Sequence, residues 1–247
     1  MQWTQSFYEK QEAWSGVYTG LVGAHHQAKA ELIARLGAPP PAGVLELGAG
    51  GGQCAAAAAD AGHTVWAVEC SAPAVAHART LAEERSNLTI LEGDFYVVEP
   101  PVPPQVVCYW DGFGVGSDTD QRRLLRRIAR WLGGDGVALI DIYTPWHAVR
   151  TIGRTMTFNE VSRGYDFEPT ECRWLDRWSR GTETVTQSLR CYSPADLTLL
   201  LEGTGLRLDG IEPGPGPTDT NGSGWQDTAP LHLAMAYTAV LRADSEH

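Results

Sequence analysis

The sequence contains no long hydrophobic run. No stretch of about 18 apolar residues, the length needed to cross a bilayer, occurs in its 247 residues. The first thirty residues are polar and amphipathic, and they lack the apolar segment of a signal peptide. These absences predict a cytoplasmic protein that does not enter a membrane.

Basic charge and paired cysteines are also scarce. The formal net charge is −11, whereas nucleic-acid binding depends on Lys and Arg that neutralise phosphates. The five cysteines include no C-x-x-C pair, so neither a disulfide framework nor a zinc site is predicted. We expect a small-molecule substrate, no nucleic-acid partner and no bound metal, and we leave open whether the chain forms a homodimer.

Strand-like and helix-like segments alternate through the middle of the chain. The strand-like segments are GVLEL, HTVWAVEC, NLTILEGD, QVVCYW and GVALIDIY. Helical segments lie between them, one with Ser71 as its predicted N-cap and one, DTDQRRLLRRIARWL, with Asp118 or Asp120. This alternation predicts an α/β fold in which helices cover both faces of a mostly parallel sheet.

The remaining segments complete a single predicted domain. Residues 1–37 form a helical cap that ends before three consecutive prolines, and residues 43–143 form the core. Residues 144–192 contain three polar and aromatic segments with partial period-2 alternation, TMTFNEVS, ECRWLDRWSR and TETVTQSLRCY, which predict a small antiparallel insertion. Residues 193–247 supply a helix and two strands, LRLDGI and LHLAMAYTAVL.

A glycine-rich turn, Glu46-Leu47-Gly48-Ala49-Gly50-Gly51-Gly52, connects the first strand to a helix. Glycines allow close approach of a ligand, and a helix N-terminus presents unpaired N–H groups. A dinucleotide fingerprint would need a third glycine at the position of Gln53, and it is absent. Glu69 ends the second strand, where its carboxylate could accept hydrogen bonds from both hydroxyls of a ribose.

The acid-x-G-x-G-x-G spacing, with acids after the next two strands, resembles motif I of the class I S-adenosylmethionine-dependent methyltransferases. The resemblance implies a seven-stranded Rossmann-like sheet, S-adenosylmethionine as cofactor and S-adenosylhomocysteine as product. It also implies that Asp94 takes the adenine amino group and that Phe95 packs on the ring. The cofactor-binding residues expected from the motif and its surroundings are Glu46, Gly48, Ala49, Gly50, Gly52, Glu69, Cys70, Gly93, Asp94, Phe95 and Trp110.

The methyl acceptor is expected beyond the carboxyl ends of the fourth and fifth strands. Methyl transfer mainly requires alignment, and a general base is needed only if the acceptor must lose a proton. The candidate bases by position are Asp111, Tyr143 and His147, although each could instead cap, pack or lie at the surface. Aromatic residues predicted to contact the substrate are Tyr8, Trp14, Tyr18, Phe113, Trp146 and Trp174.

The Ala-, Gly- and Arg-rich sequence is similar in style to methyltransferases of actinobacterial natural-product pathways. We therefore expect methylation of a secondary metabolite, with an indole-like nitrogen heterocycle as the preferred acceptor. Three alternatives stay open: a phenolic acceptor methylated on oxygen, a non-catalytic scaffold, cyclase or regulatory protein that binds the cofactor, and a nicotinamide-dependent oxidoreductase. The N-terminal aromatic residues could pack in the core, in a dimer or over the cofactor.

Overall fold

The computed structural model describes residues 2–16, 18–220 and 224–244, and for residues 2–5 it describes the backbone alone. The first half of the chain alternates strands with helices. Its strands are Gly43–Leu47 (β1), Thr64–Glu69 (β2), Leu88–Glu92 (β3), Val106–Tyr109 (β4) and Val137–Tyr143 (β5). Its helices are Gln2–Ser15 (α1), Ala24–Leu32 (α2), Gln53–Asp60 (α3), Ala72–Ala82 (α4) and Asp118–Trp131 (α5), and a π-helical turn, Ile33–Gly37, extends α2.

The second half adds a separate small sheet and then returns to the main one. A short helix, Pro145–Arg150 (α6), precedes the strands Thr155–Phe158 (β6), Val161–Glu168 (β7), Arg173–Arg180 (β8) and Glu183–Arg190 (β9). The chain continues through Pro194–Leu201 (α7), Leu206–Pro213 (β10), Gly216–Pro217 (β11), Trp225–Gln226 (β12) and Ala236–Ala243 (β13). None of the described helices is both long and apolar enough to span a bilayer.

Seven strands form the main sheet in the order β10-β13-β5-β4-β1-β2-β3. Six of these strands run in one direction, and β13 runs antiparallel to them. Side chains from alternate positions of β1 enter two hydrophobic clusters, Val44 on one face and Leu45 and Leu47 on the other. Both faces are therefore buried, as an apolar parallel strand requires. The predicted α/β fold class is confirmed.

The antiparallel sheet β6-β7-β8-β9, which we call the insertion sheet, turns one face toward the rest of the molecule. Its register places Arg163 opposite Trp178 and Asp176 opposite Gln187, so these side chains share the inner face. The β9 edge of the sheet is joined to the core by a hydrogen bond from the Arg190 backbone N–H to the Gly114 carbonyl, 2.9 Å. The predicted antiparallel insertion is thus present as a four-stranded layer against the core.

Three local predictions need correction. The sequence predicts TMTFNEVS as one segment, but it contains a hairpin turn at Asn159 and Glu160, whose φ values are 45° and 65°. Glycine usually occupies such left-handed positions, and its absence hides the turn. Helix α5 is capped by Ser117, which exchanges hydrogen bonds with Asp120, instead of by Asp118 or Asp120. The last strand begins at Ala236, five residues later than predicted, because residues 230–234 form a hydrogen-bonded turn.

Candidate active site

The glycine-rich turn carries the backbone from β1 into α3 at the carboxyl edge of the sheet. Gly48 and Gly50 have φ values of 61° and 54°, in the left-handed region that favours glycine. A Cβ on Gly48 would lie 3.2 Å from the Tyr109 ring, and one on Gly50 would lie 3.0 Å from the Tyr18 ring. The Ala49 N–H donates to the Val68 carbonyl at 3.0 Å, which joins the turn to β2. Glycine, which has no side chain, is therefore required at positions 48 and 50 between the Tyr18 and Tyr109 rings.

Glu69 at the end of β2 holds this turn in place. One carboxylate oxygen accepts the Gly50 N–H at 2.8 Å, and the other accepts the N–H groups of Cys70 and Ser71 at 2.8 and 2.7 Å. Three of its roughly four acceptor positions are thus used by backbone. Ser71 is the N-cap of α4 as predicted, but its side chain makes no capping hydrogen bond. Glu69, which is predicted to bind the ribose, therefore binds the backbone of the turn in this structure.

Glu46, on β1 just before the turn, is 4% exposed. Burial, together with the charge of Glu69, raises the pKa of Glu46 to about 8, although the charge of Lys29 opposes the rise. Most of this carboxyl group is therefore protonated at neutral pH. It can donate a hydrogen bond beside a turn where Glu69 can only accept one.

Asp94, in the Gly93-Asp94-Phe95 segment after β3, is exposed at the same edge. Its carboxylate accepts the Tyr96 N–H at 2.7 Å. The Phe95 ring lies 5.4 Å from the Tyr109 ring, and a Cβ on Gly48 would be 3.9 Å from it. Cys70 is exposed beside Glu69. These residues lie at neighbouring strand ends. This geometry is compatible with the role predicted for Asp94 in adenine binding, which stays a prediction.

The segment after α1 lies directly on the turn. The Gln53 side chain donates to the carbonyls of Tyr18 and Gly20, both at 3.1 Å. A Cβ on Gly51 would overlap the Tyr18 carbonyl oxygen. The sequence predicts no contact for Gly51 or Gln53, because each of them meets a distant segment of the chain.

Replacing Gly51 by alanine is expected to displace this segment, since backbone atoms cannot yield to a methyl group as a flexible side chain can. Overpacking of this kind costs about 1–3 kcal/mol. Affinity for S-adenosylhomocysteine should fall and tryptic cleavage in the N-terminal segment should accelerate, as measured by calorimetry and limited proteolysis. Gly20→Ala is the matched control, because nothing lies within 4 Å of the position that its methyl group would take. Equal behaviour of the two variants would refute the contact.

Trp110, at the end of β4, is buried and its indole N–H has no hydrogen-bond partner among the described residues. The Lys29 ammonium lies 4.4 Å from the centre of its ring and 2.5 Å from an Asp141 carboxylate oxygen. Thr238 on β13 donates to the other oxygen at 2.5 Å. This half-buried ion pair connects α2, β5 and β13. Lys29, Asp141 and Thr238 carried no sequence signal, since each is isolated in its own segment.

Asp111 and Tyr143, from the ends of β4 and β5, meet in a hydrogen bond donated by the tyrosine hydroxyl. Asp111 has a φ of 50°, a left-handed conformation that is uncommon outside glycine. The carboxylate keeps solvent-accessible surface but is enclosed by protein, and this desolvation raises its pKa above the usual range, whereas the bond from Tyr143 lowers it. Two of the three candidate bases are therefore together at the predicted edge.

Tyr8, Tyr18 and Arg163 lie near enough to interact electrostatically with this pair, and we call the five residues the central cluster. Burial raises the pKa of Tyr18 beyond its usual range, and the charges of Asp111 and Glu69 raise it further. The Tyr8 and Tyr18 rings are 6.4 Å apart, and Gln187 donates to the Tyr8 hydroxyl at 2.6 Å. The cluster thus joins the N-terminal helix, the strand ends and the insertion sheet.

Arg163 comes from the inner face of the insertion sheet. Its guanidinium binds both carboxylate oxygens of Asp176, at 2.9 and 2.7 Å, and lies 5.0 and 4.8 Å from the Tyr165 and Trp178 rings. Its charge lowers the pKa of Tyr143 against the larger effect of burial. The meeting of Arg163, Asp176 and Gln187 on one face was not predicted from the sequence. Period-2 alternation was visible, but the register that brings them together was not.

His147, the third candidate base, lies elsewhere. Its ring contacts Trp174 and Trp225, with centroid distances of 5.6 and 6.4 Å. Burial, with the charges of Arg150 and Arg154, lowers its pKa to about 4. Among the described residues, no contact joins it to Asp111 or to the turn. It lines a cavity of about 400 Å³ beside the insertion sheet.

The remaining predicted substrate residues differ in their surroundings. Trp174 packs against Tyr143 at 5.0 Å, next to the central cluster. Trp14 packs with Phe7 and Trp178 between α1 and the insertion sheet, and the Trp146 indole donates to the Ala234 carbonyl at 3.2 Å. Phe113 is 1% exposed in the main core and presents no surface to a ligand, which corrects its predicted role.

One segment of the chain matches a known family model. Residues 44–136 match the family model described as a methyltransferase domain. A search of curated protein sequences found no match. The fold is similar to that of the CcbJ methyltransferase from Streptomyces caelestis, with 20% identity, a TM-score of 0.70 and 92% of each chain covered.

Two further solved structures are similar. S-adenosylmethionine-bound CalS10, an amino pentose methyltransferase from Micromonospora echinaspora involved in calicheamicin biosynthesis, is 15% identical, with a TM-score of 0.62 over 96% of this chain and 97% of that one. The sugar N-methyltransferase KedS8 from Streptoalloteichus sp ATCC 53650 is 17% identical, with a TM-score of 0.57 over 96% of this chain and 93% of that one.

These similarities agree with the site. The family model spans β1 to the start of β5, the part that holds the turn, Glu69 and Asp94. The cradle between the Tyr18 and Tyr109 rings, with an acceptor carboxylate at its edge, fits an adenosyl cofactor, and S-adenosylmethionine is the cofactor of this class. The dinucleotide alternative lacks its third glycine. Residues 44–136 therefore match a methyltransferase domain, within a fold that solved methyltransferases share.

Proposed function

We propose that the protein methylates a nitrogen atom of a small natural product, and that the acceptor nitrogen faces Asp111. The observation that supports this most is the Asp111–Tyr143 pair at the ends of β4 and β5, enclosed by the insertion sheet. The amino sugar and sugar N-methyltransferase relatives support an amine acceptor. The net charge of −11 disfavours a nucleic-acid substrate.

When bound, S-adenosylmethionine supplies a methyl group on a positively charged sulfur. The turn residues Gly48 and Gly50 would lie along it, Glu69 would accept a ribose hydroxyl with its remaining lone pair, and Asp94 would face the adenine. Glu69 and the N-terminal segment keep this cradle assembled before the cofactor binds, which reduces the entropy lost on binding.

Asp111 is proposed to take the proton that an amine acceptor must lose. An aliphatic amine is protonated at neutral pH, and only its neutral form has a free lone pair. The raised pKa of Asp111 makes its carboxylate a stronger base than an exposed aspartate. Tyr143 holds that carboxylate in one orientation, and the methyl transfer itself depends on alignment. The proton leaves through the solvent-accessible side of Asp111.

An indole-like heterocycle, the acceptor preferred from the sequence, stays a second candidate. The aromatic rings of Tyr8, Tyr18 and Trp174 around the central cluster favour it. An indole N–H is too weakly acidic for a carboxylate to deprotonate fully, so Asp111 would contribute less to its methylation. A phenolic acceptor and a purely cofactor-binding role are the remaining alternatives.

The acceptor class can be tested with cofactor carrying an isotope-labelled methyl group. We expect the purified protein to release S-adenosylhomocysteine with amino sugars or other aliphatic amines, and mass spectrometry should place the label on nitrogen. Indoles and phenols in the same panel report on the second candidate and on O-methylation. Tight binding of S-adenosylhomocysteine without turnover on any amine, indole or phenol would argue for the non-catalytic role.

A further inference from the structure

Two adjoining cavities lie between α6, the open edge of the insertion sheet and the loop around β12. Their volumes are about 400 and about 130 Å³. Both are lined by His147, Thr151, Arg154 and Trp225. The larger one falls within the range of roughly 300–1,000 Å³ that is typical of small-molecule sites. None of the residues of the central cluster lines either cavity.

Positive charge at this place is not neutralised. Arg150 and Arg154 both line the smaller cavity, and neither forms an ion pair within the described part of the chain. The Arg150 guanidinium donates a hydrogen bond to the Leu233 carbonyl at 2.7 Å. Burial, together with the charge of Arg154, lowers the pKa of Arg150. Two neighbouring cations that repel each other favour the binding of an anion at this place, although the protein as a whole has a net charge of −11.

The walls of the larger cavity are flat and apolar. Trp174 stacks on Tyr165 with ring centroids 5.1 Å apart, and Met156 and Met235 complete this side. Trp225 is 56% exposed and Met156 is 46% exposed, which is unusual for such large apolar side chains in close proximity. Rings and methionines of this kind accommodate a planar aromatic group.

We infer that this cavity binds a planar aromatic carboxylate, with its ring against Trp225 and its carboxylate on the guanidinium groups of Arg154 and Arg150. Guanidinium forks match the two oxygens of a carboxylate. The site goes beyond the proposed methyl transfer and does not depend on it. Trp174 also packs against Tyr143, so a ligand here lies one ring away from the central cluster.

The test measures binding, without any methyl transfer. Calorimetry on the full chain saturated with S-adenosylhomocysteine compares 1-naphthoate with 1-naphthylmethanol, a neutral molecule of the same shape. We expect the carboxylate to bind and Arg154→Gln to weaken its binding by about tenfold, the usual effect of losing a charged hydrogen bond. Trp225→Ala should also weaken it, and Trp225→Phe should retain it.

Arg177→Gln is the matched control, because Arg177 is exposed on the same insertion sheet but points away from the inner face. It removes the same charge and should change binding by less than about twofold, as for an exposed charge. Equal binding of the alcohol and the acid, equal loss in Arg154→Gln and Arg177→Gln, or no binding of 1-naphthoate would each overturn the inference. Unchanged melting temperatures check that the exposed Arg154 and Trp225 variants fold.

Discussion

Replacing Glu69 by alanine is expected to weaken the binding of S-adenosylhomocysteine by about 2–3 kcal/mol, or roughly 30- to 140-fold, on the scale of charged hydrogen bonds. Two losses add in this variant. The ribose loses an acceptor, and the N–H groups of Gly50, Cys70 and Ser71 lose the carboxylate that orders the turn. Glu69→Gln should lose less, because its amide oxygen can still accept one or two of these bonds.

The measurement is calorimetric titration with S-adenosylhomocysteine. Glu92→Ala provides the control, since Glu92 pairs with Glu69 in the strand register but is exposed and bonded to Arg79. We expect its affinity to stay close to that of the native protein. An unaltered affinity in Glu69→Ala would mean that the cofactor does not lie along this turn.

Replacing Asp111 by asparagine is expected to lower kcat for an amine acceptor by about 10²- to 10⁴-fold, the usual contribution of a general base. Binding of S-adenosylhomocysteine should change little, because Asp111 bonds to Tyr143 and not to the glycine-rich turn. Asp135→Asn, in an exposed loop after α5, removes the same charge elsewhere. A comparable loss of kcat in both variants would contradict a role for Asp111 in proton transfer.

The pH dependence gives a sharper test of Asp111. A base acts when deprotonated, so kcat should rise with pH through the pKa of Asp111, which desolvation places above the ordinary aspartate range. Tyr143→Phe removes a hydrogen bond that lowers this pKa, so the rise should move to higher pH. Asp111→Asn should lack the rise. If kcat rises at the same pH in Tyr143→Phe as in the native protein, Asp111 is not the group whose titration limits kcat.

His147 illustrates how position along the chain can mislead. Its ordinary pKa and its place just after β5 made it an attractive base, but the first turn of α6 directs its ring toward Trp174 and Trp225. The neighbouring arginines and burial keep it neutral, with a pKa of about 4. It lies at the cavity proposed for an aromatic carboxylate, so we expect His147 substitutions to affect that site more than proton transfer.

Local patterns in the sequence predict the strand-turn-helix order, the glycine-rich turn and the acids at successive strand ends. Hydrophobic periodicity, helix ends and glycine are read from neighbouring residues, and parallel strands place their carboxyl ends at one edge. The contacts between distant groups could be identified only from the folded structure. They are Arg163 with Asp176, Tyr18 with Gly51, Lys29 with Asp141, and Glu69 with three backbone N–H groups. The physical reason is that such contacts depend on strand register and on the packing of separate layers, and neither leaves a local pattern in the chain.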